Sequence, residues 1–344
     1  MTAAAAAPLT FVACPLCGER RSVLLHWLRD VTLGIEGRFS LARCDGCGLL
    51  YQNPRVPDDR LGSLYPPHYA AHAREPALSR ILRRDDRLVR WVLRTRLGYA
   101  HLPIADVTAA DRLRAWTRTR RIVKAFPPWI GAGRLLDVGC ASGRFLRQMV
   151  AVGWDCAGIE ADAEAAAKAK TVTPRVVVGD PCHAAFPEGS FDVITSFHVL
   201  EHLPRPREAL ARMLGWLAPG GVMIVEVPNV AGAGALVFGR YWSGLDPPRH
   251  LVHFTPRTMR AMVERAGGRV VAEIHRTKPR YVLRSLRHVC AARGGGLASA
   301  LDGVLASRVG RAVTKGALEL LMPLARPLRR GEAVRYVIAR ADAA

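Results

Sequence analysis

Residues 134–145 read Arg-Leu-Leu-Asp-Val-Gly-Cys-Ala-Ser-Gly-Arg-Phe, and this stretch decides the fold. Leu135, Leu136 and Val138 make a short apolar strand that runs into a glycine turn and then a helix. Asp137 stands at the strand's carboxyl end. In a doubly wound α/β sheet, ligands lie just beyond such strand ends. Gly139 and Gly143 are expected where the backbone passes close to a ligand, because glycine adds no side chain there. Ala141 and Arg144 occupy the second and third glycine positions of G-x-G-x-x-G, so dinucleotide binding is disfavoured.

Four more strand ends follow in order. Asp155–Glu160 closes on an acid placed to hold a ribose diol. Arg175–Asp180 closes on another acid, beside Pro181, and Phe191–Val199 runs into Leu200-Glu201-His202. Leu217-Ala-Pro-Gly-Gly221 then turns into Val222–Asn229. This series resembles the class I S-adenosylmethionine-dependent methyltransferases over about 135–275, with a last strand at 334–341. The expected fold is α/β: a Rossmann-like, seven-stranded doubly wound sheet with an N-terminal zinc ribbon and added helices. The resemblance implies that the turn of Asp137, Gly139, Cys140, Ala141, Ser142 and Gly143, with Phe145 after it, holds the methionine part of S-adenosylmethionine. It further implies that Glu160 holds the ribose and Asp180 the adenine edge, while Phe197 and His198 border the reacting methyl.

The chain has 344 residues, room for one α/β domain and a smaller unit, and carries a formal charge of +21. Nearly all of that charge is arginine. Arginine- and alanine-rich usage accounts for part of the excess, but Arg80–Arg96 and Arg112–Lys124 are local concentrations. No run is long and apolar enough to span a bilayer, and the alanine-rich opening lacks the basic start of a signal peptide. A cytoplasmic location is the expectation.

Cys14-Pro-Leu-Cys17 and Cys44-Asp-Gly-Cys47 form two C-x-x-C pairs, each followed by a glycine, Gly18 and Gly48. Two such knuckles supply the four thiolates of a closed tetrahedral Zn²⁺ site, and a β-hairpin (Ser22–Trp27, Arg38–Ala42) fits between them. Disulfides are disfavoured in a reducing compartment. Cys140, Cys156, Cys182 and Cys290 are scattered and read as small core residues. The knuckles, Gly48–Pro57 and Tyr65-Pro-Pro-His-Tyr69 resemble the zinc ribbon of a group of bacterial methyltransferases, whose substrates include sugars and other small or glycan-linked acceptors. The implied division is a ribbon at 1–70, a basic helical linker at 71–126 and a methyltransferase domain at 127–344, with a helical insertion at about 281–328.

Within the linker, Leu78, Ile81, Leu82, Leu88, Val89, Val92 and Leu93 share one face of a helix over 77–97, with arginines opposite. A packed helix is the favoured reading. The other is a helix resting on an anionic membrane, where the acceptor would be a lipid-linked glycan.

Methyl transfer is an in-line displacement at carbon, so alignment meets much of the barrier and a hydroxyl acceptor also needs a base. His250 is the first candidate, Tyr241 the second, and His198 faces the methyl from the cofactor side. Arg249 beside His250 is expected to hold an acidic substrate group. His198-Val-Leu-Glu201-His202 matches the H-x-x-E-H of inverzincin proteases, but it caps a strand of a nucleotide fold, which rules that reading out. Related quinone-pathway O-methyltransferases carry Glu-x-x-Glu-His there and bind a divalent cation; His198 replaces the first acid here. Asp246-Pro-Pro248 follows the fifth strand rather than the fourth, unlike the motif of amino-directed DNA methyltransferases.

The expected function is methyl transfer, to oxygen rather than carbon, on a small-molecule, sugar or glycan/lipid-linked acceptor. The alternative is an RNA methyltransferase whose ribbon and arginine helices grip phosphates. A low aromatic content (7%) weakens that alternative, because RNA-reading surfaces stack bases on aromatic rings. The intact turn disfavours a non-catalytic binding module. Oligomeric state is not legible in the sequence.

Overall fold

The computed structural model describes residues 9–65, 86–103, 107–321 and 329–341. Seven strands form one sheet: β4 (Arg134–Val138), β5 (Asp155–Glu160), β6 (Val176–Val178), β7 (Phe191–Phe197), β8 (Leu217–Pro228), β10 (Gly268–Arg276) and β11 (Ala333–Arg340). Their spatial order is β10-β11-β8-β7-β4-β5-β6, and β4 lies parallel to both β5 and β7. Leu135 and Leu136 are fully buried, as a central parallel strand covered on both faces requires. The last strand in the chain enters between β10 and β8, which is the doubly wound arrangement expected.

One boundary differs from expectation. The turn expected at 217–221 lies inside β8. Gly220 has φ 74°, and a side chain at Gly221 would meet the carbonyls of Phe191 and Asp192 at 3.0–3.2 Å. Two glycines therefore bend the strand without ending it.

Local chemistry places the helix starts. Thr108 and Asp111 cap each other at α2 (Ala109–Val123), which follows α1 (Asp86–Leu97). Helix α3 (Arg144–Val150) opens at left-handed Gly143, and Asp162 caps α4 (Ala163–Lys170). Helix α5 spans Pro206–Trp216 and α6 Ala233–Phe238, while Thr255 caps α7 (Pro256–Arg265) with proline at its first position. Three helices, α8 (Pro279–Arg293), α9 (Gly295–Ala306) and α10 (Arg308–Leu321), fill the expected insertion.

A second sheet has the order β1-β2-β3-β9: β1 (Ser22–Leu28), β2 (Phe39–Cys44) and β3 (Leu50–Tyr51) from the N-terminal region, and β9 (Val252–His253) from far along the chain. The hairpin between the knuckles is the β1–β2 pair. Because β3 pairs with β9, the compact units interleave rather than follow the consecutive division at 70 and 126. One unit comprises 1–66, 198–210 and 225–337; the other comprises 67–197, 211–224 and 338–344.

In the second unit, the apolar face of α1 is spent. Leu88, Val89, Val92 and Leu93 are buried with Tyr99, Ile122, Phe126 and Trp154, so this face is not available to a membrane. Leu78, Ile81 and Leu82 of the expected 77–97 helix lie outside the described residues.

Candidate active site

The glycine turn after β4 lies in the second unit. Gly139, Ala141 and Gly143 all adopt positive φ (77°, 47° and 75°). The N–H groups of Gly139 and Cys140 donate to the Ile159 carbonyl at 2.8 and 3.1 Å, which ties the turn to β5. Glu160 accepts from the Ala141 N–H at 2.8 Å and the Asp162 N–H at 2.9 Å, so its carboxylate ties the turn to the end of β5. Gly143 corrects the expectation of a close ligand approach at that position. A side chain there would meet the Cα of Ala169 on α4 at 2.7 Å, so helix packing explains the glycine.

Asp137 is buried and accepts from the Thr195 hydroxyl at 2.7 Å. Burial, with the neighbouring charge of Glu160, pushes its carboxyl up to about 7. No cation among the described residues pairs with it. Asp180 is half-buried, accepts from the Cys182 N–H at 2.6 Å and faces His183 at 3.1 Å. Phe145 and Phe197 meet edge to face with centroids 5.7 Å apart.

The remaining candidates belong to the first unit. His198, with φ 58°, has Nδ1 3.1 Å from Glu201 and Nε2 3.5 Å from Glu226. Burial opposes its charge, but the two carboxylates override burial and raise its pKa. The two carboxylates therefore favour its charged form. Glu226 is itself boxed by Lys278, by Arg335 at 3.0 Å and by Arg276 at 3.9 Å. Burial would raise its carboxyl, yet His198, Lys278 and Arg335 hold it well below the usual range.

His250 is buried, and its Nδ1 donates to the Gly244 carbonyl at 2.8 Å, which leaves the Nε2 lone pair for chemistry. Its ring stands edge-on to His202 at 4.7 Å. Burial, with His250 beside it, lowers His202 to about 4. An Nδ1–H of His202 shared between the Tyr65 hydroxyl at 2.9 Å and the Arg249 carbonyl at 3.1 Å leaves its Nε2 free as well. Glu201 Oε2 is buried without a hydrogen-bond partner. Ligand atoms of Glu201, His202 and His250 lie within 4.8 Å of one another, a donor set suited to a divalent cation.

Arg249 corrects the expectation that it faces a substrate. Its side chain is fully buried and forks onto Asp30 at 2.8 and 2.9 Å and onto Asp246 at 2.7 and 3.0 Å. A guanidinium saturated by two carboxylates fixes the 246–250 loop and has nothing left for an acidic ligand. The Tyr241 hydroxyl accepts from Arg240 at 2.9 Å. The structure does not bring it into the histidine cluster. Tyr281 stands there instead, stacked on Trp242 at 5.9 Å and 6.4 Å from His198. Sequence reasoning missed Tyr281, Glu226, Lys278 and Asp30, and no local spacing could have paired them.

The four knuckle cysteines converge, with Cys14 Sγ 3.6 Å from Cys47 and Cys17 Sγ 3.5 Å from Cys44. Bonds of about 2.3 Å to a tetrahedral Zn²⁺ put sulfurs roughly 3.8 Å apart, so the set fits with little adjustment. Gly18 and Gly48 have φ 81° and 75°, and each donates its N–H back to the first cysteine of its knuckle.

Residues 109–273 match a family profile described as a methyltransferase domain. The match and the strand order assign residues 109–273 a methyltransferase domain on a doubly wound sheet. It is 34% identical over 104 residues to a ubiquinone biosynthesis O-methyltransferase of Thiobacillus denitrificans, covering 28% of this chain and 44% of that protein. It is 30% identical over 115 residues to the 2-methyl-6-phytyl-1,4-hydroquinone methyltransferase of Synechocystis sp., covering 30% and 36%. The chain thus spans less than half the length of these curated relatives. A methyltransferase structure from Mesorhizobium loti overlays 63% of this chain and 95% of its own, with a TM-score of 0.43 and 17% identity.

Proposed function

We propose that the whole chain transfers the methyl group of S-adenosylmethionine to an oxygen of a small-molecule acceptor, such as a sugar or glycan-linked hydroxyl or a phenolic hydroxyl. The observation that carries the reading is Asp137. A buried carboxylate beside Glu160, with no cation paired to it among the described residues, suits a ligand that brings its own positive charge. The names of the quinone and hydroquinone relatives support a small acceptor.

The cofactor, when bound, supplies an electrophilic methyl. Asp137, the Gly139–Gly143 turn and Glu160 would hold it. His250 Nε2 takes the acceptor's proton, and His198, whose Nδ1 is held by Glu201 and whose buried Nε2 makes no hydrogen bond, donates from Nε2 to an acceptor oxygen. A divalent cation on Glu201, His202 and His250 would make an acceptor hydroxyl more acidic, and it competes with the base role for the same His250 lone pair. Cys14, Cys17, Cys44 and Cys47 would hold a structural Zn²⁺.

Labelled S-adenosylmethionine offered with a metabolite extract, a lipid extract and RNA tests the reading. Label is expected in a small molecule or lipid-linked species. Label confined to RNA overturns it in favour of the phosphate-gripping alternative.

A further inference from the structure

The segment that carries His250 is held along its length by the N-terminal ribbon. The Thr32 hydroxyl donates to Asp246 at 3.0 Å, and Asp30 takes the Arg249 guanidinium at 2.8 and 2.9 Å. Further on, β3 pairs with β9, with Tyr51 opposite Val252. Gln52 acts between these two holds. Its backbone N–H donates to the Leu251 carbonyl and its side-chain Nε2 to the His250 carbonyl, each at 2.9 Å. One residue thus binds two consecutive carbonyls. From the other side, the Leu251 N–H donates to the Glu201 carbonyl at 2.7 Å. Both polar groups of the peptide between His250 and Leu251 are therefore fixed. That peptide sets the backbone from which the His250 ring reaches the Gly244 carbonyl through Nδ1, at 2.8 Å, and directs its Nε2.

The Gln52 amide lies the way it does because of His250. The residue is 1% exposed, and its Oε1 is buried with no hydrogen-bond partner. A carbonyl accepts and cannot donate, so turning the amide over would set oxygen against the His250 oxygen. The bond to His250 thus persists although it leaves a buried acceptor unsatisfied, which opposes stability. Local rules of this kind are broken where a site needs a fixed geometry. The ion pair of Arg249 with Asp30 holds the start of the loop but does not reach the peptide after His250.

We propose that Gln52, on the ribbon, is the positioning residue for His250, so that removing its amide lowers turnover without loosening the fold. The proposal rests on the base role of His250. Gln52→Met keeps the length of the side chain. It takes a donor from one carbonyl and removes one unsatisfied acceptor, so the two effects on stability offset.

Full-length Gln52→Met is compared with the parent, with the extract fraction that takes label from S-adenosylmethionine as the acceptor. Its kcat should fall about tenfold to a hundredfold, with cofactor affinity and the denaturant midpoint unchanged. Nitrogen NMR of histidine-labelled protein at pH 8 should show the His250 ring as a single Nδ1–H tautomer in the parent and as a mixture in the variant. Gln52→Met should add nothing to His250→Ala, as expected of two residues acting through one group. Unchanged turnover in Gln52→Met overturns the proposal. So does a loss of turnover matched by a lower denaturant midpoint, which is a structural role alone. A further loss in the double variant also overturns it, because Gln52 would then act outside His250. Full turnover in His250→Ala refutes the base reading itself. The ring then decides the positioning separately: a mixture of tautomers in Gln52→Met supports it, and an unchanged single form overturns it.

Discussion

Asp137 and Glu226 are both buried strand carboxylates, and their surroundings are opposite. Asp137, in the unit that carries the glycine turn, has a hydroxyl donor, a neighbouring acid and, among the described residues, no paired cation, and burial lifts it to about 7. Glu226, in the other unit, sits among Lys278, Arg335, Arg276 and His198, which hold it well below the ordinary range despite burial. One unit leaves a negative charge for a ligand to neutralise. The other surrounds its acid with cations, and that acid in turn favours the charged form of His198. The buried acid before the glycine turn thus lacks the cations that surround Glu226, which is what the proposed cofactor role of the turn requires.

The comparison can be broken at several strengths. If the knuckles hold Zn²⁺ as proposed, its removal is the largest intervention, because structural zinc contributes on the order of 10 kcal/mol to such a module. Elemental analysis is expected to find about one zinc per chain, and Cys44→Ser should melt the unit holding Glu226 while leaving the turn's cofactor affinity measurable. A metal-free native protein with four freely reactive thiols would contradict this.

Next comes His250→Ala, which should lower turnover by about 10²–10⁴ with cofactor affinity nearly intact. Turnover that rises with added Mg²⁺ or Zn²⁺, and collapses equally in Glu201→Gln and His202→Ala, would point to the cation role of His250 instead.

Glu226→Leu leaves several cations buried together and should cost roughly 3–5 kcal/mol in denaturant unfolding. The sign with pH follows from its depressed carboxyl. Its contribution is present above the ordinary glutamate value and is lost as pH falls toward and below that value, so the parent and the variant should converge in acid.

Asp137→Asn should act the other way. A carboxyl raised in the folded state destabilises the ligand-free protein progressively from about pH 4 to about pH 7. The variant should therefore be more stable by a few kcal/mol at pH 8 and no different near pH 3. Equal stability at both would remove the contrast between the two acids.

Most of the cofactor turn was legible in the sequence because its chemistry is local. A strand, two glycines and an acid at the strand end occupy Leu135–Gly143, and the knuckles are equally compact. The histidine cluster was legible only in part. His198, Glu201 and His202 are consecutive in one short segment, and His250 was singled out as an imidazole near the expected methyl. Their partners come from closure of the chain on itself. Arg249 reaches Asp30 across 219 positions, and Glu226 reaches Arg335 across 109. Arg249 departs from its expected role for that reason: its neighbours in sequence suggest a ligand, while its neighbours in space are the carboxylates of Asp30 and Asp246. The paired strand β9 went unseen because two residues carry too little pattern to mark a strand.

Proton linkage of cofactor binding tests the central claim most directly. If the cation of S-adenosylmethionine completes the charge that the turn leaves open, binding must pull Asp137 below its ligand-free value of about 7. Calorimetry at pH 6.5 in buffers of different ionisation enthalpy should then show net proton release by the parent protein. Asp137→Asn should show weaker binding and no such release. Binding by the parent without proton release, or full affinity in Asp137→Asn, would contradict the account.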